Sequence, residues 1–200
     1  MTAQRTIQQT RYSETVPRNN QFHTIRRLDW RFLLPDPRLN RVIYFGPEND
    51  PLAAALKQFA DFFQDGSCNG RREDPCDFDV AVLKTEKPLI LERVHTVLKT
   101  GGYLYCEIDS GQDGFPGITK QIERLKNAGF AKVWVYWHRP NFENCLDIVP
   151  LGEKQAIDHF FGQKRTDVKG RVKTAAGRLL SALGMLRLMI SNLSFVACKS

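Results

Sequence analysis

The sequence predicts an α/β domain with a mainly parallel β-sheet, and three observations support this fold class. Short apolar runs rich in β-branched and aromatic residues recur along the chain. Most of these runs are followed by a segment whose apolar residues return at helical spacing. Glycines stand where several of the helical segments stop. Alternating strands and helices favour parallel strands with helices on both faces of one sheet, and 200 residues are enough for one such domain.

The first strand and helix are predicted between Arg41 and Phe63. The run from Arg41 to Gly46 is apolar and predicts a strand. Asp50 is a candidate N-cap, and Pro51 suits the first helical turn that follows it. One buried helical face is predicted from the apolar positions Leu52, Leu56, Phe59, Ala60 and Phe63.

The segment 64–77 predicts a loop. It combines glycine, proline and asparagine with dense charge, which is typical of turns and leaves no room for a buried strand.

The remaining elements repeat the same alternation up to His138 and then become irregular. The pattern predicts strands at 78–84, 103–109 and 131–138, and helices at 88–102 and 117–130 that end at Gly101, Gly102 and Gly129. Residues 139–153 show no regular pattern. A short helix at 154–162, a basic amphipathic helix at 171–190 and a last strand at 191–199 follow.

Charge is distributed unevenly along the chain, which has a formal net charge of +7. Residues 1–41, 42–161 and 162–200 carry net charges of +5, −5 and +7. Basic ends of this kind can meet nucleic acid, an anionic membrane surface or an acidic protein, or can serve only solubility. We therefore divide the chain into a basic N-terminal arm over 1–27 and an α/β domain over 28–200.

Compartment and metal binding are also constrained by the sequence. The first twenty residues are polar and basic without an apolar run, so we expect neither a signal peptide nor a membrane span and place the protein in the cytoplasm. Its five cysteines are scattered, and none forms a CxxC pair. Reduced thiols are expected, with no disulfide framework and no metal site.

Three segments together resemble class I S-adenosylmethionine-dependent methyltransferases. FDVAVL, the run ERVHTVLKTGGYLYCEID and the run LKNAGFAKVWVYWHRP are similar, in order and spacing, to the region of strands four to six in that family. The resemblance extends from about Arg41 to Arg139, with Ser194 to Cys198 as the antiparallel last strand. It implies a Rossmann-like transferase fold with S-adenosylmethionine as cofactor. The matching positions are Asp79, Leu98, Lys99, Gly101, Gly102, Gly129 and Phe130.

The turn after the first strand departs from the family. Glycines there normally let the backbone approach the cofactor, whereas this chain has YFGPEND, in which Gly46 is the only glycine. Pro47 removes one amide donor, while the carboxylates of Glu48 and Asp50 can meet a cationic group. The resemblance, read onto this chain, gives Gly46, Glu48, Asp79 and Lys84 as the cofactor-binding residues.

A second departure is the short distance between Gly46 and Phe78. The family places strands two and three there, and strand two ends in an acidic residue that holds the ribose. The sequence instead predicts a reduced sheet of five strands in the family order 1-4-5-7-6, and Asp65, Glu73 and Asp74 match no motif position. S-adenosylmethionine is accordingly expected to bind weakly or not at all.

This reduced sheet leaves the first strand at an edge with unpaired backbone groups, which folded proteins usually cover. The candidates for this cover are the N-terminal segment, the loop 66–77 and a second chain in a two-fold dimer. We predict that the N-terminal segment covers the edge through Trp30, Phe32 and Leu33.

Candidate catalytic residues stand at the predicted carboxyl ends of strands, where open α/β sheets bind ligands. His138 can act as a general base for an acceptor hydroxyl, although a histidine at a strand end is more often an ordinary polar residue. Glu107 and Asp109 both stand near the end of this strand, and at most one of them is expected to face the cleft. The candidate catalytic pair is therefore His138 and Glu107.

Two functions remain open from the sequence. The first is a small methyltransferase that acts on a small-molecule acceptor through an eroded cofactor site. The second is a catalytically inactive, methyltransferase-like scaffold that binds a protein. A nucleic-acid role ranks third, because the basic ends carry no recognised binding motif.

Overall fold

The computed structural model describes residues 24–66, 77–84, 89–109, 117–162 and 190–200. These residues form one seven-stranded sheet in the order β2-β1-β3-β4-β7-β5-β6. Its strands are β1 Arg41–Phe45, β2 Phe62–Asp65, β3 Phe78–Leu83, β4 Leu98–Ile108, β5 Phe130–Arg139, β6 Asp147–Pro150 and β7 Leu193–Lys199. The helices are α1 Pro51–Phe59, α2 Leu89–Val97, α3 Ile118–Asn127 and α4 Lys154–Gly162, with a 3₁₀ turn at Asp29–Leu33.

Five of the strands run in one direction. β2, β1, β3 and β4 pair in parallel, whereas β7 pairs antiparallel with both β4 and β5. β6 pairs antiparallel with β5. The predicted α/β fold with a mainly parallel sheet is confirmed, and so is the predicted order of the five central strands.

The predicted number of strands is wrong, because β2 and β6 extend the sheet on both sides. β2 pairs with β1 from Arg41 opposite Phe62 to Tyr44 opposite Asp65. The residues Phe62 and Phe63 have high β-propensity, but their spacing also fits the helical pattern of the preceding segment. That pattern wrongly assigned Phe63 to the helix and Asp65 to a loop.

Helix α1 begins as predicted and ends earlier. The Asp50 side chain accepts a hydrogen bond from the Leu52 amide at 2.7 Å, and Pro51 occupies the first turn. The chain leaves the helix at Ala60, whose backbone is extended. β2 can therefore begin two residues later, beside β1.

The two glycines predicted to end a helix over 88–102 lie inside β4 instead. Helix α2 ends at Val97, and the pairing of β3 with β4 shifts register between Phe78 and Val80. Gly101 has φ +75°, and a Cβ on Gly102 would lie 2.8 Å from the Lys99 carbonyl oxygen. The glycines thus serve an irregularity in the strand rather than a helix C-cap.

The second half of the chain follows the prediction with one addition. α3, β5, α4 and β7 lie where the pattern placed them, and Gly129 ends the turn after α3 with φ +101°. β6 was not predicted, because residues 147–150 carry no periodic signal beyond Ile148 and Val149. The amphipathic helix predicted at 171–190 lies outside the described residues except for Ile190.

Each face of the sheet carries its own apolar cluster. On one face α2 and α3 pack against alternate residues of the central strands. On the other face α1 and the segment 28–39 pack against the remaining alternate residues, among them Tyr44, Val82 and Tyr105. Throughout the sheet, the period of two separates residues that contact one layer of helices from residues that contact the other.

The N-terminal segment covers a face of the sheet and not the edge strand that was predicted. Because β2 pairs with β1, β1 is an interior strand. Trp30 is 2% exposed and stacks on Tyr105, with ring centroids 4.0 Å apart, while Phe32 is 63% exposed. The predicted edge, and its cover by Phe32, are therefore wrong.

Within the described residues, no helix is long and apolar enough to cross a membrane.

Candidate functional site

The carboxyl ends of the five codirectional strands meet at one edge of the sheet, the carboxyl edge. Open α/β sheets bind ligands at this edge. Among the predicted residues, Gly46, Glu48 and Lys84 follow β1 and β3 there, and Glu107 and His138 lie near the ends of β4 and β5.

The turn after β1 is held by an ion pair. Lys84 Nζ lies 2.5 Å from Asp50 Oδ2, and the Lys84 amide donates to the Phe45 carbonyl at 2.8 Å. The second oxygen of Asp50 caps helix α1. Lys84, predicted to contact the cofactor, thus joins the end of β3 to the start of α1, and Glu48 is exposed on the same turn.

Position 46 needs a glycine because the Tyr44 ring occupies the space that a side chain would fill. A Cβ at this position would lie 2.3 Å from the Tyr44 hydroxyl oxygen. Gly66, after β2, has the same relation to Phe45, whose ring would lie 2.4 Å from an added Cβ. The Tyr44 ring therefore extends along β1 towards the carboxyl edge, and its hydroxyl lies beside Gly46.

Asp65 is an acidic residue at the end of the second strand, a position for which the sequence analysis found no residue. It is the last residue of β2, it pairs in register with Tyr44 of β1, and Gly66 donates to the Tyr44 carbonyl at 2.8 Å. Paired residues of parallel strands point to the same face of a sheet. The structure therefore places a carboxylate at the carboxyl end of β2, next to the turn that contains Gly46.

Asp79 lies at the opposite end of its strand. It is the second residue of β3, it pairs with Lys99, and it accepts a hydrogen bond from the Arg41 amide at 3.0 Å. Because Arg41 begins β1, this contact belongs to the amino edge of the sheet. The structure does not bring Asp79 to the other three predicted cofactor residues.

A buried ion pair occupies the end of β4. The Arg27 guanidinium meets both oxygens of Glu107, at 2.6 and 2.5 Å, and the side chains are 3% and 1% exposed. Tyr105 donates to Glu107 Oε1 at 3.0 Å. Burial alone lowers the pKa of Arg27, but its hydrogen bonds to Glu107 outweigh this effect and raise the pKa above its ordinary value.

His138 joins the same region from β5. It is 2% exposed; its Nε2 lies 2.7 Å from Ser194 Oγ, and its Nδ1 lies 3.5 Å from Cys145 Sγ. Burial, and then the charge of Arg27, lower the pKa of His138 to about 3. The imidazole is therefore neutral near pH 7.

These contacts define a buried polar cluster on one face of the sheet, at β4, β7 and β5. Ser194 of β7 lies in register between Glu107 and Tyr136. The structure thus brings the two predicted catalytic residues, Glu107 and His138, into one cluster whose polar groups bond mainly to each other. Their catalytic role stays a prediction.

In the described ranges, no group of three His, Cys, Asp or Glu side chains is placed to hold a metal ion.

Sequence reasoning missed three residues of this edge, namely Asp65, Arg27 and Tyr44. Asp65 follows two phenylalanines, and that pair was the available signal for a strand. Arg27 was assigned to the N-terminal arm, and nothing in a polar segment marks one arginine as buried. The Tyr44 hydroxyl cannot be distinguished by pattern from any other apolar strand position.

Comparisons with known proteins find similarity in structure alone. No protein-family model matches the chain, and a search of curated proteins finds no match. A methyltransferase of Thermotoga maritima, described as S-adenosylmethionine-dependent and as a possible histamine N-methyltransferase, superposes with a TM-score of 0.50 at 13% identity, covering 90% of this chain and 91% of that chain. An S-adenosylmethionine-dependent methyltransferase of Archaeoglobus fulgidus gives 0.50 at 12% identity, covering 90% and 94%.

At these low identities the likeness concerns the fold. The chain therefore has a class I S-adenosylmethionine-dependent methyltransferase-like fold, as its resemblance implied.

Proposed function

We propose that this chain binds S-adenosylmethionine at the carboxyl ends of β1, β2 and β3. The observation that carries the proposal is Asp65, which ends β2 beside the Gly46 turn. An ionised carboxylate has two acceptor oxygens, and two adjacent ribose hydroxyls can donate to both. Asp65 is thus suited to hold the nucleoside part of the cofactor.

The amino-acid part of the cofactor has fewer donors available. In the turn after β1, Pro47 has no amide hydrogen, and the Gly46 position is occupied on one side by Tyr44. Lys84 is bonded to Asp50. These features favour weak binding, with an expected Kd approaching about 1 mM, roughly 4 kcal/mol.

The test is a calorimetric titration with S-adenosylhomocysteine. Asp65→Asn removes the charge and one acceptor, and we expect it to weaken binding about tenfold, as a charged hydrogen bond is worth roughly 1.5–3 kcal/mol. Asp61→Asn is the matched control, because Asp61 is exposed at the other end of β2. Equal affinity of the two variants would contradict the role of Asp65, and wild-type protein that does not saturate at about ten times 1 mM would contradict the proposal itself.

The reaction we propose is methyl transfer to a small-molecule acceptor. When bound, S-adenosylmethionine would supply an electrophilic methyl group: the bond from methyl carbon to sulfur would break as the bond to the acceptor forms, and S-adenosylhomocysteine would be left. The acceptor would approach the same edge near the ends of β3 and β4. Trp30 and the buried polar cluster exclude water from one side of this region. The test is transfer of label from methyl-labelled cofactor to a panel of small amines, phenols and carboxylic acids.

A second candidate is a scaffold without catalysis that binds a protein partner. It is favoured by the burial of Glu107 and His138, whose polar atoms bond to protein groups. On this proposal, the variants Glu107→Gln and His138→Asn lose folding stability and keep the wild-type affinity for S-adenosylhomocysteine. If these residues are catalytic, Glu107→Gln or His138→Asn should instead lower the rate of labelled methyl transfer while the variant protein remains folded.

A further inference from the structure

The Tyr44 hydroxyl is buried without a hydrogen-bond partner among the described residues. Tyr44 is 0% exposed. Among the residues that the structure describes, its hydroxyl oxygen is one of five buried side-chain atoms without a hydrogen-bond partner. The others belong to Arg27, Trp30, Arg41 and His95, and of the five only Tyr44 lies at the carboxyl end of β1. An unsatisfied buried hydroxyl is costly, which points to a function for this group.

The ring is fixed by its neighbours. Tyr44 lies in register with Val82 of β3, which in turn pairs with Tyr105 of β4. All three belong to the cluster formed with α1 and the N-terminal segment. The ring cannot turn away from the edge without leaving this packing, and its hydroxyl is held beside Gly46.

The charges around this hydroxyl are mainly negative. Burial, followed by the carboxylates of Asp50 and Glu107, raises the pKa of Tyr44 above its ordinary value, and Asp65 adds to the effect. Lys84 pairs with Asp50 and Arg27 pairs with Glu107. A neutral hydroxyl in this setting is suited to accept a hydrogen bond from a cation.

We infer that the Tyr44 hydroxyl binds the ammonium group of the cofactor's amino-acid part, accepting a hydrogen bond from it beside Gly46. The inference rests on the proposed binding of S-adenosylmethionine and adds a residue that recognises its charged end. Asp65 holds the ribose on β2, and Tyr44, its register partner on β1, holds the ammonium. The two residues therefore bind different parts of one ligand.

Two nucleosides separate these roles. S-adenosylhomocysteine carries the ammonium, whereas 5′-methylthioadenosine shares its adenosine and thioether but has no amino-acid part. Tyr44→Phe is expected to weaken S-adenosylhomocysteine about tenfold, as for a hydrogen bond to a charged group, and to leave 5′-methylthioadenosine unchanged. Asp65→Asn is expected to weaken both.

The control is Tyr103→Phe, which removes a half-buried tyrosine hydroxyl in the middle of β4 and should change neither affinity. Thermal unfolding without ligand provides a second measurement, in which Tyr44→Phe should melt at a higher temperature than wild type because an unsatisfied group has been removed.

Three outcomes overturn the inference. One is equal loss of both nucleosides in Tyr44→Phe, a second is no loss of either, and a third is a lower melting temperature, which would show that the hydroxyl is bonded within the protein. A wild-type chain that binds neither nucleoside instead contradicts the proposed function.

Discussion

The two halves of the carboxyl edge differ in how their polar groups are satisfied. At β4, β7 and β5, Arg27, Glu107, Ser194 and His138 each bond to one another or to neighbouring protein groups and are almost completely buried. The one Arg27 nitrogen without a hydrogen bond among the described residues, Nε, lies 3.5 Å from the Glu143 carboxylate. At β1 and β2, the Tyr44 hydroxyl has no partner among the described residues, and Asp65 ends its strand at a half-buried position.

This difference shows that the type of a residue does not by itself tell whether its hydrogen-bonding groups are available to a ligand. Glutamate and histidine are the usual residues of acid–base chemistry, yet in this structure their hydrogen-bonding capacity is used within the protein. Tyrosine and aspartate at the other half carry the weaker sequence signals. The buried Tyr44 hydroxyl, which makes no hydrogen bond among the described residues, is the better indicator of a ligand. We expect the first half to determine stability and the second to determine binding.

Breaking the buried ion pair should have the largest effect. Arg27→Ala or Glu107→Ala leaves an uncompensated buried charge, and we expect each to lower the free energy of unfolding by about 3–5 kcal/mol. The measurement is denaturant unfolding at pH 7. Replacing both with Met and Leu should cost less than either single change.

The exposed pair of Arg38 and Asp36 provides the control. Arg38→Ala should leave the free energy of unfolding unchanged within error. A loss for Arg27→Ala no greater than that for Arg38→Ala would show that the cluster does not support the fold.

The pH dependence of stability should report on His138. Its pKa is about 3 in the folded protein, below the value of about 6.5 for an unfolded chain. The unfolded state therefore binds the extra proton first, and stability is full above about pH 6.5 and falls towards pH 3, by up to about 1.4 kcal/mol per pH unit. Denaturant unfolding between pH 7 and pH 5 measures this slope.

His138→Asn should flatten the slope, and the exposed His159→Asn should not. Burial and then Lys199 also lower the pKa of His95, so some slope will persist in every variant. An identical slope in wild type and His138→Asn would contradict the burial of a neutral imidazole.

A smaller effect is expected at the turn after β1. Asp50→Ala removes both the helix cap and the partner of Lys84, and we expect a loss of about 1–2 kcal/mol in the free energy of unfolding. Asp50→Asn keeps an acceptor for the cap and should lose less. If both variants lose the same amount, the ion pair rather than the cap accounts for the stability.

Much of the fold could be predicted because its central strands and helices differ in period. β1, β3, β5 and β7 are short apolar runs, and α1 and α3 show helical spacing. β2 and β6 were missed because each has only four residues, which is too few for a period to be distinguished. Phe63 shows the difficulty, since it fits the spacing of the preceding helix and the alternation of the strand equally well.

The candidate site was predicted less well, because strand pairing and burial determine which residues lie together there. The strand order predicted that Lys84, Glu107 and His138 lie at the carboxyl edge, and the resemblance predicted the same for Gly46; the structure has all four there. Asp65 depends on the pairing of β2 with β1, which no local pattern contains. The Arg27 contact joins residues that are far apart in sequence, so composition could not indicate it.

The position of β7 has a consequence for the order of folding. Within the described sheet, β5 and β6 are joined to the other strands only through β7, where Cys106 of β4 pairs with Phe195. Pairings between such distant residues form slowly, because a long loop must close first. During synthesis, β4 and β5 would leave the ribosome before the strand that separates them, and until β7 inserts, Glu107 and His138 lack Ser194 between them. We therefore expect the nascent chain to expose these two strands to chaperones until residues 193–199 have emerged.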